Sequence, residues 1–306
     1  MKTYYLDIAG LFVRVSFVHL GDMKFDYPPM HYLPFKLRGK VSPGSEVLLD
    51  FNIDQDLEIS EHENWELIGW FDDDDVDTPK RGVFRASDGS YVFFFENHIG
   101  KRLFVMQSSA DFKHNTVRFG EGTTLQCIGF KYALMLAYAF ASAPYGCLLI
   151  HSSAVLLGGK AYLFLGKSGT GKSSHTSLWL KNFDEARLLN DDSPVIRVDA
   201  SKAIVYGSPW SGHTPCYRQE SAPIAAVAII EHSSSNTIEP LSPAKALSTL
   251  LSSCSAMMWD KRIYDDILRS MSMLIELVGI HRLACLPTDS AALLSFNTFT
   301  RCKQSS

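Results

Sequence analysis

Two patterns of apolar residues follow one another along the chain. Short runs rich in β-branched and aromatic residues recur at 4–9, 11–18, 47–51, 65–71, 91–96 and 102–106, with Pro, Gly, Asn and Asp turns between them. Such runs read as strands, and they predict a mainly antiparallel, β-rich (α+β) domain over residues 1–120. The period then lengthens. Residues 126–143 are rich in Ala, Leu, Met and aromatics and apolar almost all round, which predicts a buried helix at the seam between two domains. Pro144 and Gly146 split the apolar stretch 132–150 into a helical part and a short strand. Neither piece reaches the roughly twenty residues that a bilayer crossing requires, so no membrane span is expected.

Beyond it, strands are predicted at 147–150, 154–157 and 161–165, the last two joined through Gly158-Gly159-Lys160. A Gly-Gly pair between apolar runs signals a tight hairpin, because both central positions of a primed turn need positive φ. A short strand within 184–192 ends in the two adjacent carboxylates Asp191 and Asp192, and further strands are predicted at 194–198, 203–206, 224–230 and 283–286. The continuous apolar run 224–230 suits a strand buried on both faces. Ser242-Pro243 places an N-cap before a proline that opens a helix to about 253. Ile263, Ile267, Met271, Leu274 and Val278 mark the core face of another, and Asp289 stands where a closing helix is capped. Strands and helices alternating in this way predict an α/β domain over residues 121–300.

Composition narrows the function classes. A length of 306 residues accommodates two cores, and a net charge of −4 argues against wholesale attraction to nucleic acid or an anionic membrane. A small-molecule or protein substrate is expected instead. Cysteines at 127, 147, 216, 254, 285 and 302 show no C-x-x-C pair, so neither a zinc site nor a disulfide framework is expected. The first residues, Met1 to Asp7, lack the pattern of a signal peptide, and a cytoplasmic location is expected. Asp72 to Asp75 with Asp77 lack the glycine and the closing glutamate of a calcium loop and read as a solvated turn. His19, His31, His62, His98 and His114 have no i, i+4 partner for metal binding.

The candidate chemistry centres on Gly166-Lys167-Ser168-Gly169-Thr170-Gly171-Lys172-Ser173, followed by Ser174. An apolar strand precedes it and a helix-compatible segment follows, which is the setting a phosphate-binding P-loop requires. Its glycines let backbone N–H groups curl inward around an anion, and the following helix adds its positive end. Lys172 is then expected at the β- and γ-phosphates of a nucleotide, and the Ser173 hydroxyl at a Mg²⁺ ion. Phosphoryl transfer also needs carboxylates for metal and acceptor. Asp191 and Asp192 lie 19 and 20 residues after Lys172, about one helix and one returning strand away. Adjacent side chains on an extended backbone point to opposite sides. One aspartate therefore faces Mg²⁺ and the other an acceptor hydroxyl, the assignment being open at this level. His151, at the end of an apolar strand, can tune or relay a proton beside a carboxylate. In the turn-rich stretch 208–218, His213 and Arg218 are the residues able to carry positive charge. Arg218 is the candidate for stabilising phosphoryl charge, and the stretch suits a lid or equally an ordinary turn with a packed Trp210.

Taken in order, His151-Ser152-Ser153-Ala154-Val155, the Gly-Gly hairpin, the segment from Leu165 to Ser173 and Asn190-Asp191-Asp192 resemble the core of the HPr kinase/phosphorylase family. That family shares a P-loop fold with ATP-dependent phosphoenolpyruvate carboxykinases. The resemblance implies a mixed sheet and roles for His151, Lys172, Ser173, Asp191 and Asp192 as proton relay, phosphate ligand, metal ligand and the metal and base pair. It further implies ATP or GTP with Mg²⁺ as cofactors, a protein or small-molecule acceptor, and homo-oligomerisation. Two other readings compete: a small-metabolite kinase of the shikimate or nucleotide kinase type, and a nucleotide-sensing protein that transfers nothing.

Overall fold

The computed structural model describes residues 1–23, 25–39, 46–59, 65–71, 79–167, 169–212 and 214–301. The acidic turn at 72–77, His62, Ser168, His213 and Cys302 lie outside them. The chain divides into two compact units, Met1–Ser142 and Ala143–Ser306.

The first unit holds eight strands: β1 (Lys2–Ile8), β2 (Leu11–His19), β3 (Val47–Asp54), β4 (Glu66–Phe71), β5 (Lys80–Arg85), β6 (Tyr91–Glu96), β7 (Arg102–Ser108) and β8 (His114–Phe119). They form one sheet in the order β1-β2-β3-β8-β7-β6-β5-β4. The sheet is mixed rather than simply antiparallel, since β3 runs parallel to both β2 and β8. Helix α1 (Thr123–Ser142) packs on this sheet, where Phe130 meets Phe51, Tyr32 and Phe119 and the Tyr138 hydroxyl donates to the Ile8 carbonyl. These contacts make it part of the first unit, so the division falls after the helix and not near residue 120. It is also the one described helix long and apolar enough to cross a membrane. Its residues Phe130, Ala133, Leu134, Ala137 and Tyr138 are fully buried, as in a core helix.

The second unit contains β9 (Cys147–Leu149), β10 (Ser152–Leu157), β11 (Lys160–Leu165), α2 (Lys172–Asn182), β12 (Arg187–Asn190), β13 (Val195–Val198), β14 (Ala203–Tyr206) and β15 (Ser221–His232). It closes with β16 (Thr237–Pro240), α3 (Pro243–Ser252), α4 (Lys261–Val278), β17 (Ile280–Cys285) and α5 (Asp289–Arg301). Its sheet runs β12-β10-β11-β15-β14-β13-β9, with β17 also on β15 and β16 on β17. Strand β11 is parallel to β15 and β15 to β17, while the other pairs are antiparallel. Trp179 of α2 packs on Tyr162 and Phe164 of β11 and on Phe296 and Phe299 of α5, forming an aromatic core on that face. Burying a Trp of this kind stabilises by a few kcal/mol, about 3 or more by comparison with large-to-small core substitutions.

The strand directions bring four segments to one end of the sheet. Ser152 pairs with Leu165, so the start of β10 lies beside the end of β11. Ala154 pairs with Asn190, which sets the end of β12 beside the start of β10. Leu165 pairs in parallel with Ile229, so β15 finishes next to β11. Residues at 151–153, 166–167, 169–171, 191–192 and 232 are neighbours for this topological reason.

Candidate active site

The hairpin turn is the sequence-predicted one: Gly158 and Gly159 both have positive φ, 58° and 71°, and Leu157 pairs with Lys160. The second arm delivers Gly166 directly into the glycine-rich loop. That loop ends on Gly171, which N-caps α2 in the left-handed region at φ 93° with no side chain bonded to the helix start. The N–H groups of the first turn therefore stay available to an external acceptor.

Lys172, largely buried, donates from Nζ to the carbonyls of Gly166 at 2.8 Å and Lys167 at 3.1 Å. An ammonium has three N–H donors, so these two bonds arch the loop and leave one hydrogen for a ligand. Burial lowers the Lys172 pKa, an effect opposed by the charges of Asp192 and Asp191. Both aspartates thus lie within electrostatic reach of this amine.

Asp191, only 8% exposed, accepts on Oδ1 from the Ser153 hydroxyl at 2.8 Å and from the Ser173 hydroxyl at 3.3 Å. Its second oxygen, Oδ2, has no partner among the described residues. Asp192 turns the other way and meets His151, with Nδ1 to Oδ1 at 2.8 Å and both side chains partly exposed. Because the carboxylate only accepts, the His151 nitrogen facing it carries the hydrogen. The backbone repeats the link, since the Ser152 N–H donates to the Asp192 carbonyl at 2.8 Å.

The strand end is braced from below by a residue that carries no charge. Asn190, fully buried, donates from Nδ2 to the Ser208 hydroxyl at 3.1 Å and the Trp210 carbonyl at 3.2 Å, and accepts from the Asp192 N–H at 2.9 Å. Ser208 donates onward to the Ser193 carbonyl at 2.7 Å. Residues 207–212 are therefore tied to the acidic pair through Ser208 and Trp210 and form a wall beside it, with Trp210 fully buried as in a packed turn. A Cβ on Gly212 would come within 3.0 Å of the Asp191 carbonyl.

The structure thus gathers His151, Gly166, Lys167, Lys172, Ser173, Asp191 and Asp192, with Gly169, Thr170, Gly171 and Ser174 on the same loop and first helical turn. Arg218 has other partners. Its Nη1 donates to Glu220 at 3.4 Å, Glu220 also pairs with Arg187 at 2.9 Å, and Cys216 lies against the guanidinium, raising its pKa. Ser153, Asn190 and His232 were not among the sequence candidates. Ser153 and Asn190 had a signal in their places, two residues after His151 and directly before the acidic pair; His232 had none, since its partner lies 63 residues away.

The sequence matches no protein-family model and no curated protein. Among solved structures it is similar to the Hpr(Ser) kinase/phosphatase from Coxiella burnetii, over 51% of this chain and 95% of that one, with 9% identity and a TM-score of 0.29. A likeness of that size carries no conclusion about fold, activity or substrate.

The Ser173 hydroxyl lies 3.3 Å from Asp191 Oδ1, and Asp191 Oδ2 has no partner among the described residues, so oxygen donors of a hydroxyl and a carboxylate stand together. This is the donor chemistry of Mg²⁺, a hard cation bound through one or two carboxylates beside a nucleotide's phosphates. Ser173 and Asp191 fit such an ion.

Proposed function

We propose that this chain is a kinase that transfers the γ-phosphoryl group of ATP or GTP to a hydroxyl on a protein or a small molecule. The observation that carries the reading is the Ser173–Asp191 contact. It ties the end of the glycine-rich loop to the acidic strand end, although the two are 18 residues apart in sequence.

In this reading the phosphates lie against the first-turn N–H groups of α2 and the remaining Lys172 hydrogen, where helix dipole and ammonium favour anionic oxygen. Ser173 and Asp191 hold Mg²⁺, which supplies charge neutralisation across the phosphates when bound. Asp192 accepts the proton of the acceptor hydroxyl. As that oxygen bonds to the γ-phosphorus, the bond from phosphorus to the bridging oxygen breaks and the nucleoside diphosphate leaves. His151 keeps the Asp192 carboxylate turned toward the acceptor side. The wall at 207–212 holds both aspartates in register.

One observation favours a second reading. Arg218 is engaged by Glu220 and Cys216, so among the described residues Lys172 is the cation at the centre and no arginine joins it for transition-state charge, as suits a protein that senses nucleotide without transferring phosphate. Incubation with Mg²⁺ and γ-labelled ATP or GTP, alone and with cell extract, separates the readings. Label moving to a protein or to a small-molecule fraction supports the kinase. Nucleotide binding with no transfer to either would replace it by the sensor.

A further inference from the structure

We propose that His232 is a positioning residue that holds the tip of the glycine-rich loop in its anion-accepting form. His232 closes β15, and its Nε2 lies 3.2 Å from the Gly169 carbonyl oxygen. A carbonyl can only accept, so Nε2 carries the hydrogen and donates it. The ring also flanks the far side of the loop, where its Cε1 would be 3.9 Å from a Cβ placed on Gly171.

The need for such a hold follows from the loop itself. Gly169 sits at φ 77° and a Cβ on it would meet nothing within 4 Å, so among the described residues none packs against that position. The Gly169 carbonyl and the Thr170 N–H share one rigid peptide plane and point in opposite directions. The N–H end of that plane is weakly held. It reaches the Lys167 carbonyl at 3.2 Å, but the same oxygen accepts the Thr170 hydroxyl at 2.8 Å and Lys172 Nζ at 3.1 Å. Three donors compete for two lone pairs, and the amide has the longest of the three bonds. His232 is the anchor at the carbonyl end. With it, the carbonyl dipole is turned toward β15; without it, only the long Thr170 N–H bond to Lys167 holds a plane that pivots on Gly169, and rotation can aim that dipole at incoming phosphate oxygens.

The effect on nucleotide rests on the kinase reading, whereas the hold on the loop does not, and two measurements keep them apart. Amide hydrogen exchange over residues 165–173 is compared without nucleotide in the full chain, His232→Ala and His232→Gln, the last retaining an N–H donor. Mg²⁺–ADP and Mg²⁺–GDP affinities are measured by calorimetry on the same proteins. Losing one hydrogen bond of ordinary strength corresponds to about five- to tenfold. His232→Ala is expected to speed loop exchange and weaken the bound diphosphate by that factor, and His232→Gln to stay near the parent in both. Unchanged exchange in His232→Ala would overturn the proposal, as would faster exchange with unchanged affinity. If the parent binds neither diphosphate, the nucleotide reading falls, and the exchange comparison alone decides whether His232 holds the loop.

Discussion

Ser153 donates its hydroxyl hydrogen to the same oxygen of Asp191 that receives Ser173, at 2.8 Å against 3.3 Å. The shorter bond comes from a fully buried residue in β10, so it is a fixed support, and it commits Oδ1 while Oδ2 remains for a ligand. A hydrogen bond to a charged group contributes about 1.5–3 kcal/mol. Ser153→Ala should therefore raise the Mg²⁺ concentration for half-maximal phosphoryl transfer by about tenfold or more. Metal titrations of turnover, with the unfolding midpoint as a check on folding, test this; an unchanged metal dependence would remove Ser153 from the centre.

Lys172 offers a different kind of test, because two of its three hydrogens serve the loop and one serves the ligand. Lys172→Met should weaken Mg²⁺–nucleotide binding by about a hundredfold or more, combining a lost charge-assisted bond with a loosened arch. Lys172→Arg should not rescue it, since a planar guanidinium cannot cap two carbonyls and still present a hydrogen in the same direction. Calorimetry on both variants reads the outcome, and binding within threefold of the parent in either would argue against this geometry.

Arg218 is expected to matter little. Its guanidinium is 43% exposed and pairs with a glutamate that already has Arg187. Exposed pairs of this sort contribute at most about 1 kcal/mol. Turnover of Arg218→Ala should remain within a factor of about two, in keeping with those partners. A loss of a hundredfold in turnover at unchanged nucleotide affinity would instead show that Arg218 leaves Glu220 for the transferring phosphoryl group.

How far the site could be read from the sequence depends on the distance over which each residue makes its point. The Gly158-Gly159 turn, the loop up to Ser173 and the neighbouring acids Asp191 and Asp192 are local signals, each specified by adjacent residues. Ser153, Asn190 and His232 act through partners set by strand order, and no short-range pattern encodes the pairing of β12 with β10 or of β11 with β15. The same reason explains the missed strands. β5 and β8 carry Lys, Arg, Gly, His and Asn among their apolar positions, and their place beside stronger strands is what makes them strands. The parallel pairs around β3 join segments separated in sequence by other elements, so a list of short strands suggests hairpins there instead.

Acid should destabilise the second unit through His175. This residue is buried on α2, its Nε2 donates to the Ser295 hydroxyl at 3.1 Å, and its Nδ1 is buried without a partner among the described residues. Charging the ring would put a hydrogen on that nitrogen, and burial accordingly pushes the pKa down from 6.5 to about 4. The unfolded chain takes up the proton first as pH falls. Stability is thus complete above pH 6.5, declines between 6.5 and about 4, and levels off below. The full loss is about 3 kcal/mol. Denaturant unfolding of His175→Leu across this range should show a shallower acid slope by that amount, with lower stability at neutral pH from the lost Ser295 bond. Parallel slopes for the two proteins would refute it.

Asn190 links stability to chemistry at a point where neither charge nor nucleophilicity is involved. Its buried amide holds Ser208 and the Trp210 carbonyl on one side and the Asp192 N–H on the other. Asn190→Ala leaves the Asp192 N–H without this acceptor, at a cost of about 1–3 kcal/mol, and removes one donor each from the Ser208 hydroxyl and the Trp210 carbonyl, which keep their bonds to Ser193. It also loosens the wall at 207–212, which then holds the strand end through Ser193 alone, so the Asp192 carboxylate should be set less firmly against His151. The expected result is a lower unfolding midpoint together with a fall in turnover of at least tenfold at saturating nucleotide, with nucleotide affinity little changed because the loop is untouched. Gly212→Ala probes the same register with less damage, since a Cβ there presses on the Asp191 carbonyl at 3.0 Å and the Asp192 Cβ at 3.4 Å. A wall that merely fills space would show stability losses in both variants and normal turnover. A wall that sets the aspartates will show turnover falling in Gly212→Ala while the unfolding midpoint hardly moves.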